Sequence, residues 1–222
     1  MTGHIYLVDD DSGFRTSLAE ILGSVGFSCT EWDTPEDLIE TVQFNRPGCV
    51  VLDYRLPTLS GLEVLRRVRE SSSIPIILIS AFADVRLSVT AMRAGAAAVF
   101  EKPLDDNEFL GFIERLCYED RERTAKLRKC MEIRAAIAQL SDPEREVLEL
   151  LLKGMPNKVI AQHLGKSVKA VERNRQALVA KLKCATTLEA LVQVSVCPLA
   201  QCSPLTCQSL ACVSTTLHSL SA

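Results

Sequence analysis

The sequence predicts an α/β fold, a doubly wound five-stranded parallel sheet, followed by a small all-α domain. Over the first half of the chain, short apolar runs alternate with helix-period segments in a five-fold βα pattern, which is typical of a parallel sheet with crossover helices. Beyond about residue 140 only short helical segments follow. A chain of 222 residues is long enough for two domains of ordinary size.

The elements of the first domain can be assigned in order along the chain. Four apolar runs predict buried strands, at residues 5–8, 49–52, 76–79 and 96–100. Helical periodicity predicts five helices, at residues 12–25, 34–44, 61–70, 85–94 and 106–118. Thr34 and Pro35 form a good helix start, because threonine caps and proline suits the first turn. Gly95 is a good stop for the fourth helix.

Each of the four predicted strands leads into a side chain that can carry chemistry. Asp9 and Asp10 follow the first strand, Asp53 the second, Ser80 the third and Lys102 the fourth. Ligands of an open parallel sheet gather at the carboxyl ends of its strands, so these groups are expected to converge. Three close carboxylates repel one another unless a divalent cation lies among them, and oxygen ligands suit Mg²⁺. A single Asp could be a helix cap, but the ordered set predicts a phosphoryl-transfer site with a carboxylate nucleophile.

Residues 5–117 resemble the receiver domain of two-component response regulators, which has a flavodoxin-like fold. The motifs that carry the resemblance are Asp9-Asp10, Asp53, Ser80 and Lys102-Pro103. By this resemblance, Asp53 accepts a phosphoryl group from a sensor histidine kinase, and Lys102 contacts the phosphoryl oxygens. Ser80 swings to hydrogen-bond the phosphoryl group, and the peptide bond before Pro103 is cis.

The same resemblance implies Mg²⁺ as the cofactor. Asp10 and Asp53 supply side-chain oxygens, the backbone carbonyl of Arg55 supplies another, and Asp9 acts largely through water. The chain is then no enzyme in the ordinary sense, because its only reactions are Mg²⁺-dependent self-phosphorylation and autodephosphorylation at Asp53.

One position departs from many receivers. The residue three places before Lys102 is Val99, where an aromatic side chain commonly rotates inward. Phe100 is expected to point to the other face of the strand. Movement of Val99 would therefore remodel less surface than movement of an aromatic side chain at this position.

Charge divides the chain unevenly. Residues 1–120 carry 10 Lys and Arg against 20 Asp and Glu, whereas residues 121–139 carry 6 against 2 and residues 140–222 carry 9 against 6. The basic second half is therefore the part expected to meet a polyanion. No signal peptide or apolar run long enough for a membrane span is found, so we expect a cytoplasmic chain without a membrane partner.

Four segments follow from these patterns: residues 1–118, a linker at 119–139, a second domain at 140–196 and a tail at 197–222. The linker lacks Gly and Pro, which favours a helix over a flexible tether. Ser141 and Glu144 have the spacing of a capping box at the start of the second domain. A short helix that ends at Gly165, a tight turn and a helix over residues 168–181 then predict a helix-turn-helix.

This second domain resembles the four-helix DNA-binding domain of the LuxR and FixJ regulators. The resemblance is carried by residues 140–148, 157–161 and 171–175. It implies that the helix from Val168 enters the major groove of double-stranded DNA, with Glu172, Arg173 and Gln176 nearest base edges and Lys158, Ser167, Lys169 and Arg175 near phosphates. Arginine can read guanine and glutamine adenine, whereas glutamate either accepts from cytosine or braces a neighbouring arginine. An ordinary solvated helix face is the alternative for the basic residues.

The tail at residues 197–222 contains no charged residue, and its cysteines recur every five residues. A thiolate metal site or redox sensor is one interpretation, but zinc ligands usually lie two to four residues apart. We expect a disordered tail.

Together these features resemble a FixJ-type response regulator. Phosphorylation of Asp53 is expected to promote homodimerisation and sequence-specific DNA binding that controls transcription, with RNA polymerase as a further partner. Two alternatives stay open: a DNA-binding regulator that works without phosphate, and a phosphoryl sink or partner-binding protein that does not bind DNA.

Overall fold

The computed structural model describes residues 3–41, 44 and 46–196 of the chain. The chain divides into two compact units, Met1–Ala125 and Lys126–Ala222. The tail predicted at residues 197–222 lies outside the described residues.

The first unit is built on a five-stranded sheet in which every pair of neighbouring strands is parallel. The strands are β1 (His4–Val8), β2 (Ser28–Trp32), β3 (Gly48–Asp53), β4 (Ile76–Ser80) and β5 (Ala98–Glu101). Their spatial order is β2-β1-β3-β4-β5. β1, β3 and β4 are buried along their whole length, as expected of strands that are covered on both faces.

Five helices cover the two faces of this sheet, which confirms the predicted doubly wound α/β fold. They are α1 (Ser12–Ser24), α2 (Pro35–Thr41), α3 (Gly61–Ser71), α4 (Val85–Arg93) and α5 (Asp106–Ala138). Successive strand residues point to opposite faces. Ile5 and Ile77 therefore pack with side chains of α1 and α5, whereas Tyr6 and Ile76 pack with side chains of α2, α3 and α4.

Some boundaries differ from the predicted ones. Phe44 lies outside α2, and β5 begins at Ala98 rather than at residue 96. The larger difference is α5, which runs through the predicted linker as one helix of 33 residues. Its early turns bury Ile113 in the core of the first unit, and its last turns bury Ile133 in the second unit.

The second unit is all-α, as predicted. Its further helices are α6 (Asp142–Leu152), α7 (Asn157–His163), α8 (Val168–Lys181) and α9 (Thr187–Val196). The buried carboxylate of Glu144 accepts a hydrogen bond from the backbone N–H of Ser141 at 2.8 Å and pairs with Lys181 at 2.6 Å. One side chain thus caps α6 and ties it to the end of α8. None of the helices described is long and apolar enough to span a membrane.

Candidate functional site

Three of the predicted site residues meet at the carboxyl ends of the strands. β1 and β3 are hydrogen-bonded neighbours with Val8 opposite Leu52, so Asp9 and Asp53 leave the sheet side by side. The Lys102 Nζ lies 2.7 Å from Asp9 Oδ2 and 2.7 Å from Asp53 Oδ1. The ammonium group therefore bridges the two carboxylates.

Backbone groups satisfy the remaining oxygens of these two carboxylates. Asp9 Oδ1 accepts from the N–H of Asp11 at 2.9 Å, and Asp53 Oδ2 accepts from the N–H of Arg55 at 2.6 Å. Asp9 is only 1% exposed and Asp53 only 6% exposed. Two buried acids thus share one cation, which leaves an excess of negative charge at this edge of the sheet.

Burial and charge shift the pKa values of Asp9 and Lys102. Burial raises the pKa of Asp9 above its ordinary value, although the bonds from Lys102 and from the Asp11 N–H act in the opposite direction. Burial alone would lower the pKa of Lys102, but its bonds to Asp53 and Asp9 outweigh this effect and raise it. Lys102 is therefore held firmly in its charged form.

The structure does not bring Ser80 and Asp10 into this set of contacts. The Ser80 hydroxyl is buried, donates to the carbonyl of Phe82 at 3.1 Å and accepts from its N–H at 3.2 Å. It is joined to the site through its backbone, since its carbonyl accepts from the N–H of Lys102 at 2.8 Å. Asp10 is exposed and has no hydrogen bond or ion pair with another residue that the structure describes.

Val99 and Phe100 point to opposite faces of β5, as the alternation of side chains along a strand predicts. Val99 packs on the face covered by α2, α3 and α4. Phe100 packs on the opposite face, with its ring 5.1 Å from that of Phe109 and 5.4 Å from that of Phe112. The peptide bond between Lys102 and Pro103 is cis, as the resemblance implies.

The oxygen atoms at this edge are of the kind that a hard divalent cation prefers. Asp9, Asp10 and Asp53 offer carboxylate oxygens, and a single ammonium does not balance their charge. In the part of the chain that the structure describes, no three His, Cys, Asp or Glu side chains are grouped so that they could hold a metal ion. Lys102 occupies the position between Asp9 and Asp53, and Asp10 is the carboxylate left open to solvent.

Two residues of α1 that contact the site were not identified from the sequence. The Phe14 ring centroid lies 4.0 Å from Lys102 Nζ, and Arg15 donates from its guanidinium to the carbonyl of Asp9 at 2.5 Å. Both follow the Asp9-Asp10 pair by about one helical turn. Because their contacts depend on where α1 lies on the sheet, no local sequence signal marks them.

The predicted DNA-reading residues form one face of α8. Lys169, Glu172, Arg173 and Gln176 are exposed, and at 100° per residue they span a stripe of roughly 100°. Val171 and Leu178 are buried on the opposite side. Lys158 is exposed on α7, the first helix of the helix-turn-helix.

Two of the residues predicted to contact phosphate form hydrogen bonds within the second unit. The Ser167 hydroxyl caps α8 by accepting from the N–H of Ala170 at 3.2 Å. Arg175 donates to the side-chain carbonyl of Asn157 at 2.5 Å, which ties α8 to the start of α7. Glu172 forms no ion pair with either neighbouring arginine among the described residues, so bracing of an arginine is not seen.

Comparison with protein-family models gives two matches in the order of the two units. The response regulator receiver domain matches residues 5–114. Sigma-70, region 4, matches residues 130–182, which include α6, α7 and α8.

Whole regulatory proteins are also similar to this chain. The transcriptional regulatory protein FixJ of Bradyrhizobium diazoefficiens is 35% identical over 194 residues, which cover 87% of this chain and 94% of that protein. The response regulator protein TodT of Pseudomonas putida is 32% identical over 192 residues, covering 86% of this chain and 84% of TodT.

Solved structures agree with these matches. The response regulator StyR gives a TM-score of 0.78 at 30% identity, covering 86% of this chain and 98% of StyR. Full-length FixJ from B. japonicum gives a TM-score of 0.52 at 34% identity, covering 88% of this chain and 97% of that one.

Proposed function

The chain belongs to the FixJ-type response regulators, which join a receiver domain to a helix-turn-helix DNA-binding domain and regulate transcription, and we propose that Asp53 is its phosphoacceptor. The observation that carries this proposal is the ammonium of Lys102, which lies 2.7 Å from Asp53 and 2.7 Å from Asp9 at the carboxyl ends of the strands. A buried carboxylate with a cation already beside it can become an acyl phosphate without a large new electrostatic cost.

The proposed reaction transfers a phosphoryl group from a phosphohistidine of a sensor kinase. An oxygen of Asp53 forms a bond to phosphorus while the bond from phosphorus to the histidine nitrogen breaks, and the imidazole leaves. Lys102 compensates the negative charge on the phosphoryl oxygens, and the Arg55 N–H holds the other oxygen of Asp53. The chain would then be the substrate of its kinase rather than an enzyme with a separate substrate.

Receiver domains generally use Mg²⁺, and we assign its ligands here to Asp10, Asp53 and the backbone carbonyl of Arg55, with Asp9 acting through water. When bound, the ion supplies further positive charge to the phosphoryl oxygens. The exposed carboxylate of Asp10, which has no partner among the described residues, is the side chain best placed to recruit it.

We propose that the phosphoryl group acts on the second unit through dimerisation. The Ser80 hydroxyl, now bonded to the backbone of Phe82, would turn to the phosphoryl group and release that loop. α4 follows directly and exposes Val85, Val89 and Met92. A symmetric pair of chains would present two α8 helices about one turn of DNA apart, with RNA polymerase as a further partner.

Self-phosphorylation of the full-length chain tests the proposal. The protein is incubated with phosphoramidate and Mg²⁺, and its intact mass is measured. We expect one added phosphoryl group on the wild type and none on Asp53→Asn.

Asp84→Asn is the matched control for this experiment. Asp84 caps α4 through the N–H of Leu87 at 2.7 Å, and asparagine caps equally well, so this variant should be modified like the wild type. An unmodified wild type, or an Asp53→Asn chain that still gains mass, would contradict the assignment.

A further inference from the structure

Phe14 lies against the ammonium of Lys102 and is held there by the local backbone. Asp11 begins α1 by accepting from the N–H of Phe14 at 3.0 Å, while its own N–H donates to Asp9 Oδ1 at 2.9 Å. These two bonds connect the position of the ring to that of the Asp9 carboxylate. The ring centroid then lies 4.0 Å from Lys102 Nζ, within the range of a cation–π contact.

The contact completes the surroundings of the ammonium group. Lys102 Nζ has three N–H donors, and Asp9 and Asp53 each lie 2.7 Å away. The aromatic face of Phe14 is a third neighbour. The Lys102 side chain is only 20% exposed. A ring in this place excludes water from the cation and strengthens its attraction to the carboxylates, because electrostatic forces grow as water is removed.

We propose that Phe14 is a positioning residue for phosphoryl transfer, which holds the Lys102 ammonium at Asp53. This inference rests on the proposed role of Asp53 as phosphoacceptor. Phe14 does not touch the reacting atoms and acts through Lys102 alone. An aromatic ring at residue 14 is therefore required, and an aliphatic side chain of similar size would not replace it.

A matched control is available in the same hydrophobic core. Phe112 of α5 is also a partly buried phenylalanine that packs against the core cluster of α1 and α5. Its ring lies 4.9 Å from the guanidinium carbon of Arg115, so it too faces a cation, but that cation is not part of the site. Phe112→Leu removes comparable packing without affecting the contact to Lys102.

The first test reads the contact without any phosphorylation. In the full-length protein with isotope-labelled lysine, the ε-methylene signal of Lys102, assigned with Lys102→Arg, should be displaced by the ring current of Phe14. The displacement should persist in Phe14→Tyr and in Phe112→Leu and vanish in Phe14→Leu. A wild-type Lys102 signal at the ordinary lysine position would overturn the proposal, even if Phe14→Leu proved unable to fold.

The second test measures self-phosphorylation by phosphoramidate with Mg²⁺. Loss of a cation–π contact predicts a rate for Phe14→Leu that is roughly three- to thirty-fold lower than the wild-type rate. Phe14→Tyr should restore most of the rate, and Phe112→Leu should match the wild type. Equal rates for Phe14→Leu and Phe112→Leu, or failure of Phe14→Tyr to restore the rate, would overturn the role of Phe14. Should even the wild type remain unmodified, the assignment of Asp53 would fail, and the Lys102 signal would still decide whether the ring holds the cation.

Discussion

Replacement of Lys102 by methionine removes the bridging cation and keeps an unbranched apolar side chain of similar reach. Asp9 and Asp53 would then be left at 1% and 6% exposure without the group that lies 2.7 Å from each of them. Removal of one partner from a buried ion pair typically costs about 3–5 kcal/mol. Because the Lys102 side chain is itself 20% exposed, we expect a somewhat smaller loss of unfolding free energy, about 2–4 kcal/mol near neutral pH.

The loss should depend on pH in a defined direction. Lys102 lowers the pKa of Asp9, which burial raises, so its removal lets that pKa rise further. A carboxyl whose pKa is raised by folding favours the folded state at low pH, and this contribution is lost as the pH rises through the folded pKa. The difference between Lys102→Met and the wild type should therefore be smallest below about pH 4, near the ordinary pKa of Asp, and grow towards neutrality.

Trp32 provides the assay. It is the only tryptophan of the chain and lies in β2, so its fluorescence during urea unfolding reports the first unit. The measurement is made in EDTA to keep metal ions away. Arg86→Met is the control, since Arg86 is exposed on α4 and has no ion pair among the described residues; its effect should stay within about 0.5 kcal/mol. A Lys102→Met effect no larger than this, or one that does not change with pH, would refute the reasoning.

Three further outcomes concern the second unit. Glu144→Gln should lower its unfolding free energy by about 1–2 kcal/mol, measured by circular dichroism, because the variant weakens both a cap and an ion pair. Lys181 lowers the pKa of Glu144, so this stabilisation should be present above the ordinary pKa of Glu and be lost as the pH falls through the lowered value. Glu146→Gln removes an exposed ion pair with Lys166 and should lower the unfolding free energy by less than about 0.5 kcal/mol. Equal losses in the two variants would contradict the role of Glu144 in tying α6 to α8. Arg173→Ala should cost about 1–3 kcal/mol of DNA affinity and relax sequence preference, as binding to a panel of duplexes would reveal. Lys169→Ala should weaken binding to all duplexes alike and reduce the slope of log affinity against log salt concentration by about one. A loss of affinity confined to one sequence would exclude a phosphate contact.

The parallel sheet and the placement of Asp9 and Asp53 at the ends of buried strands could be predicted, because both follow from short-range patterns. Apolar runs over residues 5–8 and 49–52 mark buried strands, and parallel strands end at a common edge. Asp9 and Asp53 were therefore expected at one edge of the sheet, and the pairing of β1 with β3 sets them side by side there. The exposed stripe of α8 was predictable for a similar reason, since the helical period alone places Lys169, Arg173 and Gln176 on one face.

The remaining features depend on tertiary packing. The sequence shows that residues 119–138 lack helix breakers, but not that the helix from Asp106 continues through them, because the buried stripe changes partners along its length. The contact of Phe14 with Lys102 joins residues that are far apart in the chain, and so does the tie between Glu144 and Lys181. The orientation of the Ser80 hydroxyl depends on a loop of irregular backbone.

The most direct test of the central claim is the sedimentation of the full-length chain with Mg²⁺, with and without beryllofluoride as a mimic of the acyl phosphate. If phosphorylation of Asp53 controls assembly, the wild type will sediment as a monomer alone and as a dimer with the mimic, whereas Asp53→Asn will stay monomeric in both. A wild-type mass that beryllofluoride leaves unchanged would contradict the phosphorylation switch and favour a regulator that works without phosphate.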